Sequence, residues 1–220
     1  GLYLYNFTGD EKSREEFLAT VRQIEKKIDI PFYVGIYVAR FEDAKKALYT
    51  GASMVVMRKA LLPVDKELQE ITDRFSKDKL ALEVDMRADF MTAEQLDEYY
   101  ELGIGTAVLK HIDTTPSFSD TIAQTKMRVM VRDGLIRNDL AEILSYDTVS
   151  AVLTNYFEDK DIYKAKKALK KKNVDVEVFE SLIDFSDFKL LDNGLIPVVV
   201  QDYRTNEVLM VAYMNEDSYK

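Results

Sequence analysis

The stretch FYVGIYVARFEDAKKALYTGASMVVM, from Phe32 to Met57, contains one complete strand–helix–strand unit. β-Branched and aromatic residues open it, a charged segment with helical periodicity follows, and a second apolar run closes it. Gly51 follows the last periodic residue of the helix, where a left-handed residue is favoured. Gly103 and Asn173 predict helix C-termini of the same kind further along the chain, and Thr92, ahead of Glu94 and Gln95, predicts a capped helix start.

This alternation continues along most of the chain and predicts an α/β protein. Seven strand–helix units with short loops imply a parallel sheet, and right-handed crossovers that add neighbours in one direction close into a barrel. We therefore predict a (β/α)8 TIM-barrel-like domain lacking one strand. An open doubly wound sheet is the alternative, although Asn6–Asp10 (NFTGD) is not the Gly-rich turn such a sheet usually has. The predicted strands are Leu2–Phe7, Phe32–Val38, Met54–Met57, Leu80–Asp85, Thr106–Ile112, Arg128–Val131 and Ser150–Leu153. The predicted helices are Asp10–Lys27, Phe41–Tyr49, Val64–Lys77, Thr92–Leu102, Ser117–Thr125, Arg137–Ser145 and Asp161–Lys172.

A barrel that lacks a strand exposes two unpaired edges and an apolar interior. The missing strand could lie upstream of this chain, could come from a partner, or could be Leu195–Gln201 folding back. That segment and Glu207–Tyr213 are strand-like runs on either side of a turn, and they predict a β-hairpin beginning a second domain. We predict a barrel-like domain over residues 1–176, a linker over 177–192, and the start of another domain over 193–220. Because an isolated hairpin is marginal, we expect it to pack on the barrel or to pair between chains.

The composition excludes several classes of protein. The chain contains no cysteine, which rules out disulfides, thiolate metal sites and a cysteine nucleophile within it. A net charge of −9 argues against a nucleic-acid partner. No apolar run approaches the roughly 20 residues that span a bilayer, and no signal peptide opens the sequence, so we expect a cytoplasmic protein without a membrane partner. The basic cluster Lys164–Lys172 predicts a solvated helix face, with a phosphate-attracting patch as the alternative.

In a barrel of this type, the site is built from residues at the carboxyl ends of the strands. Two carboxylates among them, Asp85 and Asp113, could act as catalytic acid and base, although carboxylates here also cap the following helices. His111 is the only histidine, and strand alternation would place it on the face opposite Lys110, which favours a structural or surface role. The full set of candidates is Asn6, Thr8, Gly35–Tyr37, Arg58, Lys59, Asp85, Arg87, Lys110–Asp113, Arg132, Asp133, Thr154 and Asn155.

Residues 34–52 (VGIYVARFEDAKKALYTGA) resemble the third β/α unit of the histidine-biosynthesis barrels, the cyclase subunit of imidazole glycerol phosphate synthase and its sister ribotide isomerase. The resemblance covers about residues 1–176 and leaves the family's first strand unmatched. It places Asp85 at the family's catalytic acid, and the phosphate-binding positions at Gly35, Gly134 and Asn155. Tyr37 beside Gly35, and Asn155 in place of a glycine, imply a degenerate barrel that has lost cyclase activity.

Residues 193–216 (NGLIPVVVQDYRTNEVLMVAYMNE) resemble the opening of phosphoribosyl-AMP cyclohydrolase. Together the two resemblances imply a histidine-biosynthesis fusion whose intact form hydrolyses the purine ring of phosphoribosyl-AMP through a metal-activated water. Zinc and magnesium are expected for the complete cyclohydrolase domain, whose ligands lie beyond the matched segment, and no cofactor or metal site is expected in this chain. A phosphoribosyl-ATP pyrophosphohydrolase domain could follow.

Three roles for the barrel remain open at this point. It could be a non-catalytic scaffold or dimerisation module, an active ribotide cyclase or isomerase that uses Asp85, or a module that senses a ligand. The partners expected are a phosphorylated ribotide and a second copy of the chain. A mouth filled by Tyr37 and Arg132 would argue against an active barrel.

Overall fold

The fold is taken from a computed structural model that describes residues 1–112, 116–133, 140–155, 161–178 and 181–219. The chain divides into two compact units, Gly1–Asp161 and Ile162–Lys220. The finer division at residues 176 and 192 stays a prediction. No helix among the described residues is long and apolar enough to cross a membrane.

The first unit is a seven-stranded parallel sheet whose strands follow one another in chain order, from β1 to β7. This consecutive order confirms the predicted α/β fold lacking one barrel strand. The strands are β1 Leu2–Asn6, β2 Phe32–Ile36, β3 Met54–Arg58, β4 Leu80–Asp85, β5 Thr106–Lys110, β6 Arg128–Arg132 and β7 Val149–Leu153. The helices are α1 Glu11–Glu25, α2 Phe41–Leu48, α3 Asp65–Arg74, α4 Ala93–Glu101, α5 Pro116–Gln124 and α6 Leu140–Ile143.

The sheet is buried on both faces, as parallel sheets usually are. Alternate residues of each strand, such as Val34, Leu82 and Leu109, pack with helix residues in the larger core. The other face carries a smaller inner cluster, which comprises Met54, Val56, Ala81, Val108 and Met130, with Tyr3, Tyr33, Ala151 and Leu153 against it.

The predicted helix ends are confirmed by backbone geometry. Gly51 and Gly103 have φ values of 91° and 106°, and Asn173 has φ of 61°. Thr92 and Gln95 form a reciprocal capping box at the start of α4.

The second unit contains α7 (Ile162–Lys170), a 3-10 turn (Phe185–Asp187), β8 (Ile196–Gln201), β9 (Val208–Met214) and α8 (Glu216–Tyr219). β8 and β9 pair antiparallel in a two-stranded sheet of their own, which confirms the hairpin. The alternative in which Leu195–Gln201 fills the missing position of the parallel sheet is therefore wrong. The Asp202 carboxylate accepts hydrogen bonds from the backbone N–H groups of Arg204 and Thr205 and so forms the turn.

Candidate functional site

Asp85 is the last residue of β4 and stands at the carboxyl end of the sheet. One of its oxygens, Oδ1, accepts hydrogen bonds from the backbone N–H groups of Arg87 at 3.2 Å and Ala88 at 3.4 Å. The carboxylate thus shapes the turn after the strand, whereas the following helix, α4, is capped by Thr92 and not by Asp85. It remains one-third exposed, with a side-chain accessibility of 33%, so it is also open to a ligand.

His111 and Lys110 both contact this carboxylate. His111 Nδ1 lies 2.9 Å from Asp85 Oδ1, and Lys110 Nζ lies 3.4 Å from Asp85 Oδ2. The prediction that His111 and Lys110 face opposite ways is wrong, because β5 ends at Lys110 and His111 turns into the left-handed region with φ of 53°. A carboxylate on Nδ1 fixes the imidazole and leaves Nε2 available for proton transfer.

The pKa of Asp85 is lowered from 3.8 to about 2. Partial desolvation raises the pKa, but the hydrogen bonds from His111 and from the Ala88 backbone, with the charges of His111 and Lys110, outweigh it. Asp85 is therefore a charged acceptor at neutral pH and is suited to orient His111 rather than to donate a proton.

A second charged group, which the sequence analysis did not select, lies on the inner face of the sheet, the face that carries the inner cluster. Glu83 is 2% exposed, and its Oε2 lies 2.5 Å from Arg132 Nη1 and accepts a hydrogen bond of 3.1 Å from the Tyr3 hydroxyl. Arg58 Nε lies 4.0 Å from the other oxygen of Glu83. The signal in the sequence is a lone acid inside the apolar strand LALEVD, with Arg132 two strands away and two residues beyond Met130, which shares the row of Glu83.

Aromatic side chains of β1 and of the residue after it pack against the two arginines beside Glu83. The Arg132 guanidinium carbon lies 4.0 Å from the Tyr5 ring centroid, and that of Arg58 lies 4.2 Å from the Phe7 centroid. Tyr3 stacks on Tyr5 with centroids 5.6 Å apart. Burial, and next the charge of Glu83, raise the pKa of the Tyr3 hydroxyl far above its usual value, so Tyr3 stays neutral.

Gly35, a predicted phosphate-binding residue, is covered by this cluster. A Cβ added to Gly35 would stand 2.6 Å from the Tyr3 hydroxyl oxygen, 2.9 Å from the Phe7 ring and 3.0 Å from Tyr5 Cβ. The space that a glycine would leave for a phosphate is therefore occupied by aromatic side chains.

The other predicted site residues are more scattered. Asp113 and Gly134 lie outside the described residues. Asn155 follows β7 and is exposed. Arg132 does fill the inner face, whereas Tyr37 is half-buried and its backbone carbonyl accepts a hydrogen bond from Arg14. Lys59 donates a hydrogen bond to Asp89 beside the site. Within the described ranges, no three His, Asp or Glu side chains group as metal ligands.

The consecutive parallel order, with ionisable side chains at the carboxyl ends of the strands, defines the β/α-barrel class. A thiamine phosphate pyrophosphorylase from Pyrococcus furiosus shares the fold, with a TM-score of 0.51 and 15% identity over 77% of this chain and 80% of that one. The family model described as "Histidine biosynthesis protein" matches residues 1–115, which is over half of the chain. The chain belongs to this histidine biosynthesis family.

Two kinds of relative share different lengths of the sequence. Imidazole glycerol phosphate synthase subunit HisF from Nitrosopumilus maritimus is 23% identical over 80% of this chain and 83% of its own. The histidine biosynthesis bifunctional protein HisIE of Caldanaerobacter subterraneus is 56% identical over 39 residues, and phosphoribosyl-AMP cyclohydrolase of Clostridium beijerinckii is 62% identical over 32. The chain spans only 19% and 28% of the lengths of these two proteins. The predicted resemblance to two histidine-pathway families is thereby confirmed.

Proposed function

We propose that the parent protein is a phosphoribosyl-AMP cyclohydrolase of histidine biosynthesis, and that the barrel in this chain is a non-catalytic module attached to it. The hydrolase assignment is supported by the identity of 56–62% over 32 to 39 residues to HisIE and cyclohydrolase relatives. The non-catalytic role rests on one observation, the covering of Gly35 by Tyr3, Tyr5 and Phe7.

The energetics of the inner cluster favour a fixed structure. Glu83 and Arg132 are 2% and 17% exposed. If one of them moved away, the other would be left as a largely buried charge without its counter-ion, at a high cost in free energy. A ribotide phosphate at Gly35 would have to displace Tyr3 and Phe7, and Tyr3 is anchored to Glu83. A site that must first break a buried hydrogen bond binds its ligand more weakly than an open one.

The hydrolytic chemistry belongs to the complete cyclohydrolase domain. Zinc and magnesium bound there would activate the attacking water, and we expect a phosphorylated ribotide as the substrate and a homodimer as the assembly. The segment in this chain supplies the hairpin β8–β9 that begins that domain.

The test is hydrolysis of phosphoribosyl-AMP by the parent protein, measured with zinc and magnesium, with and without residues 1–176. We expect activity in the intact protein, and we expect Asp85→Asn to leave it unchanged. Absence of hydrolysis in both forms contradicts the cyclohydrolase assignment. Loss of hydrolysis in Asp85→Asn, but not in the exposed control Asp73→Asn, contradicts the non-catalytic barrel.

A second candidate is favoured by the contact between Asp85 and His111. With its imidazole held by a carboxylate and Lys110 adjacent, the carboxyl end of the sheet could catalyse proton transfers in a ribotide cyclase or isomerase. Turnover of a ribotide by the chain, abolished in Asp85→Asn and His111→Gln but retained in Asp73→Asn, would replace the non-catalytic role. A ligand-sensing role would instead show as thermal stabilisation by ribotides without turnover.

A further inference from the structure

A cavity of 440 Å³ opens at the end of the sheet opposite to Asp85. Thr106 and Arg128, the first residues of β5 and β6, line it, whereas Lys110, the last residue of β5, contacts Asp85. The two ends of β5, Thr106 and Lys110, are four residues apart, and the rise of a strand separates them by about 13 Å. The cavity is thus a separate site, and its volume is within the usual range of about 300–1,000 Å³ for small-molecule pockets.

The charge of the lining is opposite to that of the chain. The whole sequence has 30 basic against 39 acidic residues, yet three cations, Lys77, Lys126 and Arg128, face two carboxylates here. Lys126 is held by Glu101 at 2.7 Å, and Lys77 Nζ lies over the Tyr100 ring, 3.8 Å from its centroid. Arg128 is exposed and lies near enough to Asp78 for their charges to interact.

These side chains suit a ligand with an anionic end and hydroxyl groups. A guanidinium binds the oxygens of a phosphate in a bidentate manner, and an ammonium adds a second charge. The carboxylates of Asp78 and Asp147 can accept hydrogen bonds from sugar hydroxyls. Tyr100 adds an aromatic wall beside the cations.

We propose that this cavity binds a sugar phosphate of nucleotide size, with its phosphate on Arg128 and Lys77 and its sugar hydroxyls on Asp78 and Asp147. The site does not depend on the cyclohydrolase assignment or on any activity at Asp85. It makes the barrel a binding module with its ligand at the amino end of the strands.

The test is isothermal titration of the 220-residue chain with AMP, adenosine and inorganic phosphate. We expect AMP to bind, adenosine to bind at least about tenfold more weakly, and phosphate to compete with AMP, since charged hydrogen bonds supply the affinity. No binding of AMP, or equal binding of adenosine, overturns the proposal.

Variants locate the site. Arg128→Gln and Lys77→Gln each remove one exposed cation and should weaken AMP binding on the order of tenfold. Arg87→Gln is the matched control, because Arg87 is exposed at the opposite end of the sheet. Asp147→Asn should weaken AMP but not phosphate. Loss of binding in Arg87→Gln or Lys110→Gln, with Arg128→Gln and Lys77→Gln unaffected, places AMP at the Asp85 end and overturns the proposal.

Discussion

At the scale of single residues, Glu83 is the charge on which the inner cluster depends. Glu83→Ala would leave Arg132 largely buried without its counter-ion, and breaking such a pair costs about 3–5 kcal/mol of unfolding free energy. Urea denaturation at pH 7 measures this loss. Glu101→Ala, which removes an exposed partner of Lys126, is the control and should change stability little.

The double variant Glu83→Leu with Arg132→Met separates charge from packing. Replacing both ions with apolar residues of similar size should recover much of the stability lost in Glu83→Ala. If the double variant is as unstable as Glu83→Ala, the loss of stability comes from altered packing rather than from an unpaired charge.

The lowered pKa of Asp85 predicts how the stability of the fold depends on pH. Its pKa is lowered to about 2 from 3.8, so the folded state binds its proton less readily than the unfolded state. The carboxylate therefore stabilises the fold above pH 3.8, and this contribution is lost as the pH falls through about 2. We expect the carboxyl resonance of Asp85 to titrate near pH 2 in NMR spectra.

His111→Gln should raise that titration midpoint toward 3.8, because the hydrogen bond and charge of His111 lower the pKa. Asp73→Asn, a change at an exposed residue of α3, should leave the midpoint unaltered. A midpoint in the wild type that stays near 3.8 would contradict the contact between Asp85 and His111.

At the scale of elements, Gly105 lies between α4 and β5, where the backbone of Lys77 approaches it closely. Its N–H donates to the carbonyls of Lys77 at 2.9 Å and Leu80 at 3.2 Å, and a Cβ there would lie 2.5 Å from the Lys77 carbonyl oxygen. Since that obstacle is backbone, Gly105→Ala should destabilise the fold by about 1–3 kcal/mol in urea denaturation. Gly9→Ala is the matched control, with nothing within 4 Å of its added Cβ. Equal midpoints for the two variants would contradict the close approach.

The elements were largely predictable because apolar periodicity determines which face of each strand and helix is buried. Leu80–Asp85 was predicted to the residue, whereas Thr106–Ile112 was two residues too long. The positive φ of His111 ends that strand, and the sequence carries no glycine or proline there to signal it. The same local turn made the contact between Asp85 and His111 unpredictable, although the strand-end rule did select Asp85.

The inner cluster was harder to predict for a different reason. Arg132 was a candidate from its position at a strand end, but Glu83 lies within a strand and was not considered. Pairing them requires the register between β4, β5 and β6, which places Glu83, Val108 and Met130 in one row and Arg132 one alternation further along its strand. A single sequence gives the order of strands more readily than their register.

At the scale of the whole molecule, stability is concentrated in the first unit. Both buried clusters lie within it, and beyond residue 161 the buried apolar residues among those described are Val174, Phe185 and Ile196. β9 has the burial pattern of a strand open to solvent on both faces, with Val208 to Val211 each more than half exposed. A two-stranded hairpin without a covered face is marginal by itself.

Hydrogen exchange of the full 220-residue chain should therefore show two levels of protection. Amides of β4 and β5 should exchange only through global unfolding, and those of β8 and β9 should exchange orders of magnitude faster through local opening. The measurement is done at low micromolar concentration, and repeating it at tenfold higher concentration detects pairing between chains. Equal protection of β8 and β5 at the lower concentration would contradict this division, and would mean that the hairpin gains its stability from contacts beyond its own two strands.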